Sequence, residues 1–344
     1  MAHDGPFATD MAPCRVAAVW QPIEKIDADD LSYEHFLEKY MRPGRPVVIS
    51  NVGRQWAAMR QWTPAYFQQR FGSKPMPIAY DETLPFDEFI DRVIASSADA
   101  PGPYMHRSFL HEVLPEVLPD LIPQNPYAFP RRYASPLMPT RWQRPDGYLK
   151  LLVGGVGSKF PVMHYDGEAA HAAITEIYGD KEFIMYAPED GPKLYPKPER
   201  PNQSSVDDPA MQDLVRFPLL AAAVQYRTVL KPGDMIFVPA GWWHAARALS
   251  VSISVCTNML DGMHWNGLTA DAYGTPDSHP DMKSRLKRSW MRGLGVLLDT
   301  LERLQVEKPG LAHKLVFPEW LAPMSAAVAP EPSRRQIHLR RPTD

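Results

Sequence analysis

Three side chains of the kinds that bind metal ions lie in two segments that are far apart in the sequence. His164 and Asp166 form an H-x-D pair in a run, 162–166, that is predicted to be a strand. Because side chains at positions i and i+2 of a strand point to the same face, the imidazole and the carboxylate can converge on one ion. His244 lies on a later predicted strand. Two histidines and one carboxylate form a facial triad with open coordination positions, which is typical of non-haem Fe(II) sites.

The predicted elements around these side chains are mostly strands. Short strands with turn signals between them indicate an antiparallel sandwich or barrel. A proline-rich excursion, 188–225, interrupts the series and is predicted to be a loop over the mouth of the barrel. The predicted strands are 148–153, 162–166, 171–178, 182–187, 226–230, 234–238, 243–248 and 251–258.

Helices are predicted on both sides of this β-rich region. Asp29 and Asp30 are expected to cap the first of them, and Thr63 the second. After the strands, leucines and a tryptophan recur every three or four residues over 281–306, which predicts an amphipathic helix. That helix could pack on the barrel or on a second subunit. The helices expected before the strands are 31–41, 64–71, 86–95 and a weaker, proline-interrupted candidate at 111–122.

The composition excludes several classes of protein. The chain has 344 residues, 44% of them hydrophobic and 22% charged, as in a globular protein. A formal net charge of −3 gives no overall field toward nucleic acid or an anionic membrane, so neither is expected as a partner. Cys14 and Cys256 are the only cysteines, which excludes a disulfide framework and a thiolate zinc site. With no signal-like segment, a cytoplasmic location is predicted.

Several longer segments resemble one protein family. Residues 40–260 are similar to the cupin-like JmjC family of Fe(II)- and 2-oxoglutarate-dependent dioxygenases. Within that family the likeness is greatest to the asparaginyl hydroxylase that inhibits the hypoxia-inducible factor. The matching segments are RPVVISNVGRQWAAMRQWTPAYFQQRFG, LLVGGVGSKFPVMHYDG, IYGDKEFIMYAPED, LYPKPERPNQSSVDD, LKPGDMIFVPAGWWHAARAL and SISVCTNML.

The resemblance implies a fold class. We expect a mainly β fold with helical additions, in which a double-stranded β-helix (cupin or jelly-roll) barrel carries N-terminal and C-terminal helices. The expected organisation is an extended arm at 1–28, a JmjC/cupin-like catalytic domain with its N-terminal helices at 29–265, a helical region at 266–324 and a disordered tail at 325–344.

The resemblance also implies the cofactors and the residues that bind them. His164, Asp166 and His244 match the iron ligands of the family. In such enzymes the cosubstrate 2-oxoglutarate chelates the iron through its keto acid end, and O2 takes the remaining position. The implied activity couples decarboxylation of 2-oxoglutarate to succinate with hydroxylation of a substrate.

The cosubstrate pocket is implied by three further positions. Lys181 matches the lysine that binds the distal carboxylate of 2-oxoglutarate, and Tyr104 and Asn258 match residues that line the same pocket. Arg247 is an odd number of residues from His244, so it is expected on the outer face of its strand.

The sequence departs from the family pattern at several positions. Pro161 stands where a threonine is common, Ala172 where an asparagine is common, and His106 where a glutamine is usual. Proline offers the cosubstrate neither a hydroxyl nor an N–H. These changes leave the substrate open, as a peptide or a small molecule.

Two other functions compete with an oxygenase. One is a cupin-type metal isomerase or lyase that does not use 2-oxoglutarate, and the other is a non-catalytic cupin binding module. The position of Lys181 discriminates the first, since only the oxygenase needs a cation inside the pocket. The presence of all three metal ligands disfavours the second. A homodimer through the C-terminal helix is a further expectation.

Overall fold

The computed structural model describes residues 20–79, 82–128, 149–210, 213–273 and 281–308. The strands in these ranges are β1 (Trp20–Pro22), β2 (Lys25–Asp27), β3 (Val47–Ser50), β4 (Pro75–Pro77), β5 (Thr83–Pro85), β6 (Tyr104–Phe109), β7 (Leu149–Gly154), β8 (His171–Tyr178), β9 (Lys181–Tyr186), β10 (Pro196–Lys197), β11 (Arg200–Ser204), β12 (Gln225–Leu230), β13 (Met235–Val238), β14 (Trp243–Ala248) and β15 (Ser252–Met259). The α-helices are α1 (Tyr33–Phe36), α2 (Ala58–Gln61), α3 (Pro64–Phe71), α4 (Phe86–Ile94), α5 (Leu110–Val113), α6 (Trp265–Tyr273) and α7 (Met282–Glu307).

Two sheets enclose the interior of a barrel. The strand order is β2-β3-β13-β8-β15-β7-β6 in one sheet and β1-β12-β9-β14 in the other. Apolar side chains from both sheets meet in one core cluster, which includes Ile174 and Ile236 from the first sheet and Phe183 and Met185 from the second. The expected mainly β barrel with flanking helices is therefore confirmed.

Alternation along the strands determines which side chains face this interior. On β8, Ala172 and Ile174 belong to the barrel core, and Glu176 shares their face. Ala173, between them, packs instead with the helical segments on the outer side of the sheet. Because helices cover that outer face, β8 is buried on both sides rather than alternating between buried and exposed residues.

The first predicted helix begins later than expected and has a different cap. Ser32, not Asp29 or Asp30, is the N-cap of α1, and its side chain accepts a backbone N–H at 3.1 Å. Both aspartates lie in a preceding 3₁₀ turn that Asp27 caps, so their carboxylates are not available to the helix. The chain continues after α1 as a π-helical turn (Leu37–Met41), which carries it to the predicted end.

The next helices agree more closely with the sequence. Thr63 caps α3 by accepting the N–H of Tyr66 at 3.1 Å, and Pro64 is its first residue. Helix α4 is also confirmed, and its apolar side packs in the largest core cluster. The weak candidate at 111–122 is instead the short α5 followed by a 3₁₀ turn (Pro115–Leu121), because proline lacks the N–H that a continued α-helix needs.

The excursion at 188–225 is not a simple loop over the barrel mouth. It contains 3₁₀ turns and the hairpin of β10 and β11. Its apolar residues, such as Leu194 and Phe217, pack on Ile184, Tyr186 and Trp243, which form the outer face of the four-stranded sheet. The excursion therefore packs on the outside of the barrel wall, and its β11 also borders the metal-ligand segment, where Gln203 bridges His164.

The N-terminal end of the described chain joins the two sheets, and the C-terminal end packs on other helices. Residues 20–27 of the predicted arm form β1 and β2, one at an edge of each sheet; residues 1–19 and the predicted tail at 325–344 lie outside the described residues. Helix α7 confirms the C-terminal amphipathic helix, and Asp281 caps it by accepting the Ser284 N–H at 2.9 Å. Within the described ranges, no helix has both the length and the apolar character of a membrane span.

Candidate metal centre

The two histidines of the predicted triad are paired through their backbones. The His164 N–H donates to the His244 carbonyl at 3.1 Å, and the His244 N–H donates to the His164 carbonyl at 2.7 Å. The two imidazole rings consequently lie 4.4 Å apart, centroid to centroid. His244 lies on β14 as predicted, whereas 162–166 is not a strand: His164 makes only isolated bridges, because the chain turns on either side of it.

The tautomer of each ring is determined by a local carbonyl. His164 Nδ1 lies 3.0 Å from the Val162 carbonyl, and His244 Nδ1 lies 3.0 Å from the Trp242 carbonyl. Since a carbonyl only accepts, each Nδ1 carries the proton and each Nε2 keeps a lone pair for a metal ion. Burial and the neighbouring His244 lower the pKa of His164 to about 4, so this ring is neutral, as a ligand must be.

Asp166 completes the donor set. Its Oδ1 lies 3.8 Å from His164 Nε2, and the ligand atoms of the three residues all lie within 4.8 Å of one another. The other oxygen, Oδ2, accepts a hydrogen bond from Asn258 Nδ2 at 3.2 Å. Asn258 Oδ1 in turn accepts from Lys150 Nζ at 2.7 Å. Two neutral imidazole nitrogens and one hydrogen-bonded carboxylate form a suitable donor set for Fe(II).

Lys181 lies deeper in the barrel than the metal centre. In the pairing of β9 with β14, Met185 is opposite His244 and Lys181 is opposite Ala248. Lys181 and Met185 are therefore on the same face of β9, about 13 Å apart along the strand. The lysine side chain is fully buried. Its ammonium group donates to Ser254 Oγ and lies 3.5 Å from Glu176 Oε2.

Burial and ion pairing act in opposite directions on this buried pair. Burial lowers the pKa of Lys181, but Glu176 and Tyr104 outweigh it and leave the pKa above its usual value. Burial raises the pKa of Glu176, and the ammonium of Lys181 and the hydroxyls of Ser252 and Ser254 oppose that rise only in part.

Tyr104 joins an aromatic wall between Lys181 and the metal centre. Its ring centroid lies 5.6 Å from Lys181 Nζ and 6.2 Å from the Phe160 ring. Phe160 stacks on His164 at 4.4 Å, and the ring of His106 lies 5.0 Å from Phe160. His106, which stands where a glutamine is usual in the family, is thus part of this aromatic wall.

The structure brings the six predicted site residues into one interior, and Asn258 contacts Asp166. Whether they hold iron and 2-oxoglutarate stays a prediction. Arg247 lies on the outer face, as expected, where its Nη2 is 2.6 Å from Glu182 Oε2. Sequence reasoning missed Lys150 and Glu176. The available signal was a charged residue at an inward position of an otherwise apolar strand.

A second group of two histidines and a carboxylate lies outside the barrel interior, at His171, Asp261 and His264. His171 Nδ1 accepts the Ala240 N–H at 2.9 Å, so its Nε2 carries the proton and faces Asp261 Oδ2 at 3.2 Å. His264 Nδ1 lies 2.7 Å from Asp261 Oδ1. Because the nitrogens that face the carboxylate are proton donors, this group forms a hydrogen-bond network rather than a ligand set.

Comparison with known proteins bears on the same region. The family model described as a cupin-like domain matches residues 33–259, which is more than half of the chain. The chain belongs to this family. The matched residues include the whole metal centre and the buried lysine, and all barrel strands except β1 and β2.

Several relatives are similar to this chain over most of its length. Lysine-specific demethylase 8 of Xenopus tropicalis and Jumonji C domain-containing protein 5 of Drosophila melanogaster are each 26% identical over 73% of this chain, covering 56% and 65% of their own length. The chain thus spans less than two thirds of these relatives. tRNA wybutosine-synthesizing protein 5 of Danio rerio is 26% identical over 78% of this chain and 84% of its own length.

The cofactor expectation agrees with the family. JmjC relatives are oxygenases that use Fe(II), 2-oxoglutarate and O2. In this chain the donor set of His164, Asp166 and His244 fits such an iron, and a buried ammonium stands behind it. The specific likeness to the asparaginyl hydroxylase stays a prediction.

Proposed function

We propose that this protein is an Fe(II)- and 2-oxoglutarate-dependent oxygenase that hydroxylates an unactivated C–H bond. The substrate we propose is a side chain of a peptide or protein, or a small amino-acid-like or natural-product molecule. The single observation that carries the proposal is the placement of a buried lysine behind a convergent His-Asp-His set in one barrel interior.

The residues of the chain would have separate tasks in this reaction. His164, Asp166 and His244 would hold the iron, which when loaded with its cosubstrate and O2 supplies the oxidising chemistry. Lys181 would bind the distal carboxylate of 2-oxoglutarate, and Tyr104 would bound the pocket at its side. The distance of about 13 Å along β9, less the length of the lysine side chain, suits a short dicarboxylate between ammonium and metal.

The burial of Lys181 also argues against the isomerase or lyase alternative. Its ammonium lies on the interior face that also carries the metal centre, where an oxygenase needs a cation for the distal carboxylate of its cosubstrate and the alternative does not. The binding-module alternative has less support, because the complete ligand set would serve no purpose without metal chemistry.

The names of the relatives point to different substrates. Two are named for lysine demethylation or for the JmjC domain, and one for the synthesis of wybutosine in tRNA. We favour a peptide or small molecule over RNA, because the net charge of −3 offers no field toward phosphates. We also propose that the protein is cytoplasmic, because its two cysteines offer no disulfide framework. We propose further that it forms a homodimer through α7.

The proposal is tested by measuring succinate released from 2-oxoglutarate by the Fe(II)-loaded protein. Peptides, free amino acids, small metabolites and a transcribed tRNA would be compared, with mass spectrometry of each candidate for a gain of one oxygen. The His244→Ala variant is the control for adventitious iron. Succinate formation by the wild type but not by His244→Ala supports an oxygenase. Metal-dependent conversion of a substrate without 2-oxoglutarate contradicts the proposal.

Replacing Lys181 tests the cosubstrate pocket. We expect Lys181→Met to retain iron but to weaken 2-oxoglutarate binding by about 3–5 kcal/mol, the scale for removing one member of a buried ion pair. Binding would be measured by calorimetry without O2. Arg247→Met, a cation lost from the outer face, is the matched control. Unchanged affinity in Lys181→Met would show that the carboxylate is held elsewhere.

A further inference from the structure

The buried ammonium that we assign to the cosubstrate already has a carboxylate partner. Glu176 Oε2 lies 3.5 Å from Lys181 Nζ, and both side chains are fully buried. Ser252 donates to Glu176 Oε1 at 2.7 Å, and Ser254 accepts from Lys181. This cluster of one positive and one negative charge is complete before any ligand enters.

A dicarboxylate that reaches Lys181 would bring a second negative charge into this cluster. Two carboxylates that share one buried site cannot both stay ionised, so the pKa of one of them rises strongly. Water cannot screen the repulsion, because the side chains are fully buried. A carboxylate without its ammonium partner in such an interior is strongly disfavoured unless it becomes neutral.

Resting on the proposed function, we propose that 2-oxoglutarate binding is coupled to the uptake of one proton by Glu176. The proton comes from solvent, and Lys181 then pairs with the distal carboxylate of the ligand. Glu176, as a neutral acid, stays in its place beside Ser252. Glu176 is thus a positioning residue that sets the pH range in which the cosubstrate binds.

The other groups around Glu176 do not titrate in the same range. Among the described residues, those from neighbouring strands are Tyr104 on β6, Lys181 on β9 and Cys256 on β15. Burial raises the pKa of Tyr104, and it raises the pKa of Cys256 to about 11, so both stay neutral near pH 7. Lys181 stays charged because its pKa lies above its usual value.

The remaining charges lie at the metal end of the pocket. Lys150 and Asp166 act on Cys256 from that side, and they are joined to each other through Asn258. They are present in both the free and the bound protein. Among the described residues, Glu176 is the carboxylate in contact with the Lys181 ammonium, which makes it the group that accepts the proton.

The test is calorimetric titration of 2-oxoglutarate into the Fe(II)-loaded protein without O2, in two buffers with different ionisation enthalpies. At pH values above the pKa that Glu176 has in the ligand-free protein, we expect uptake of about one proton per ligand. In the same range the Kd should rise by up to about tenfold per pH unit. Pyruvate, which chelates metal but lacks the distal carboxylate, should bind without proton uptake.

Two variants separate the role of Glu176 from a general effect. Glu176→Gln should bind 2-oxoglutarate without proton uptake and with a Kd that no longer rises with pH. Glu182→Gln removes a carboxylate from the neighbouring position on the outer face of β9, and it should behave as wild type. Circular dichroism and retained iron binding would verify that both variants fold.

The outcomes distinguish this inference from the function on which it rests. Binding of 2-oxoglutarate by wild type without proton uptake, or an unchanged pH dependence in Glu176→Gln, overturns the inference and leaves the oxygenase proposal intact. If neither the iron-loaded wild type nor Glu176→Gln binds 2-oxoglutarate at any pH, both the inference and the oxygenase proposal are overturned.

Discussion

At the scale of single residues, the histidines and the aspartate of the metal centre are oriented in different ways. Each imidazole is fixed by a carbonyl two residues before it in the chain, Val162 for His164 and Trp242 for His244. Asp166 depends instead on Asn258, a side chain from another strand. The rings are therefore oriented by local structure, whereas the carboxylate needs the assembled barrel.

The first prediction concerns the metal ligands themselves. Replacing His164 or His244 by Ala should abolish retention of Fe(II), because the two ligands that remain cannot hold the ion in competition with water. Iron content per chain after desalting measures the effect. His111→Ala, which changes a histidine of α5 outside the barrel, is the control. Full iron occupancy in His244→Ala would contradict the assignment of His244 as an iron ligand.

The second prediction concerns the asparagine that orients Asp166. Asn258→Ala should lower the affinity for Fe(II) about 10–100-fold, the usual effect of losing a hydrogen bond to a metal ligand. Competition with a chelator measures the affinity. Gln68→Ala removes an amide that donates to Asp91 at 2.6 Å on the surface, and it should leave the affinity unchanged. Equal affinity in Asn258→Ala would mean that Asp166 is oriented without this hydrogen bond.

At the scale of elements, the network of His171, Asp261 and His264 joins the start of β8 to the turn between β15 and α6. Burial raises the pKa of Asp261, but hydrogen bonds from the two histidines outweigh it and bring the pKa well below its usual range. The hydrogen bond with Asp261 raises the pKa of His264, against the effect of burial. Protonated His264 therefore stabilises this junction.

A pH dependence of stability follows, and its sign is fixed by the raised pKa of His264. The contribution is fully present below the unfolded pKa of about 6.5 and is lost as the pH rises through the higher folded pKa. Between about pH 6 and pH 9 the free energy of unfolding should fall more in wild type than in His264→Gln. Urea unfolding at several pH values measures this, with His111→Gln as control. Parallel curves for wild type and His264→Gln would contradict it.

Local patterns predicted the elements of this chain better than their contacts. The cap at Thr63, the span of β8 and that of β14 follow from neighbouring residues, and each is found as expected. The interior role of Glu176 depends on which faces of two sheets meet, and short-range sequence holds little information on such pairing. For the same reason Asn258 was assigned to the cosubstrate pocket, although its hydrogen bonds connect Lys150 to Asp166.

At the scale of the whole molecule, α7 has two apolar sides. One side buries Met291 and Leu298 with Trp265 of α6. A second side leaves Leu286 66% exposed and Trp290 54% exposed. An amphipathic helix on a monomer surface normally presents polar residues to water, so the second side supports the proposed homodimer.

The dimer prediction is tested by sedimentation at micromolar concentration. Wild type should sediment as a dimer, and Trp290→Glu should shift it to monomer without loss of secondary structure, since this ring is not in the core. Val215→Glu places the same charge at an apolar site that is 86% exposed and distant in sequence from α7, and it should stay dimeric. A monomeric wild type would rule out the dimer.

The two N-terminal strands have a consequence for how this chain behaves when it is shortened. β1 covers the free side of β12, and β2 covers the free side of β3, so eight residues close one edge of each sheet. A chain that begins at residue 28 would keep the metal centre, yet it would present two rows of unpaired N–H and carbonyl groups. Such rows are templates for strand addition between molecules. Loss of the N-terminal segment would therefore appear first as aggregation, while the metal centre of the protein that stays in solution remained intact.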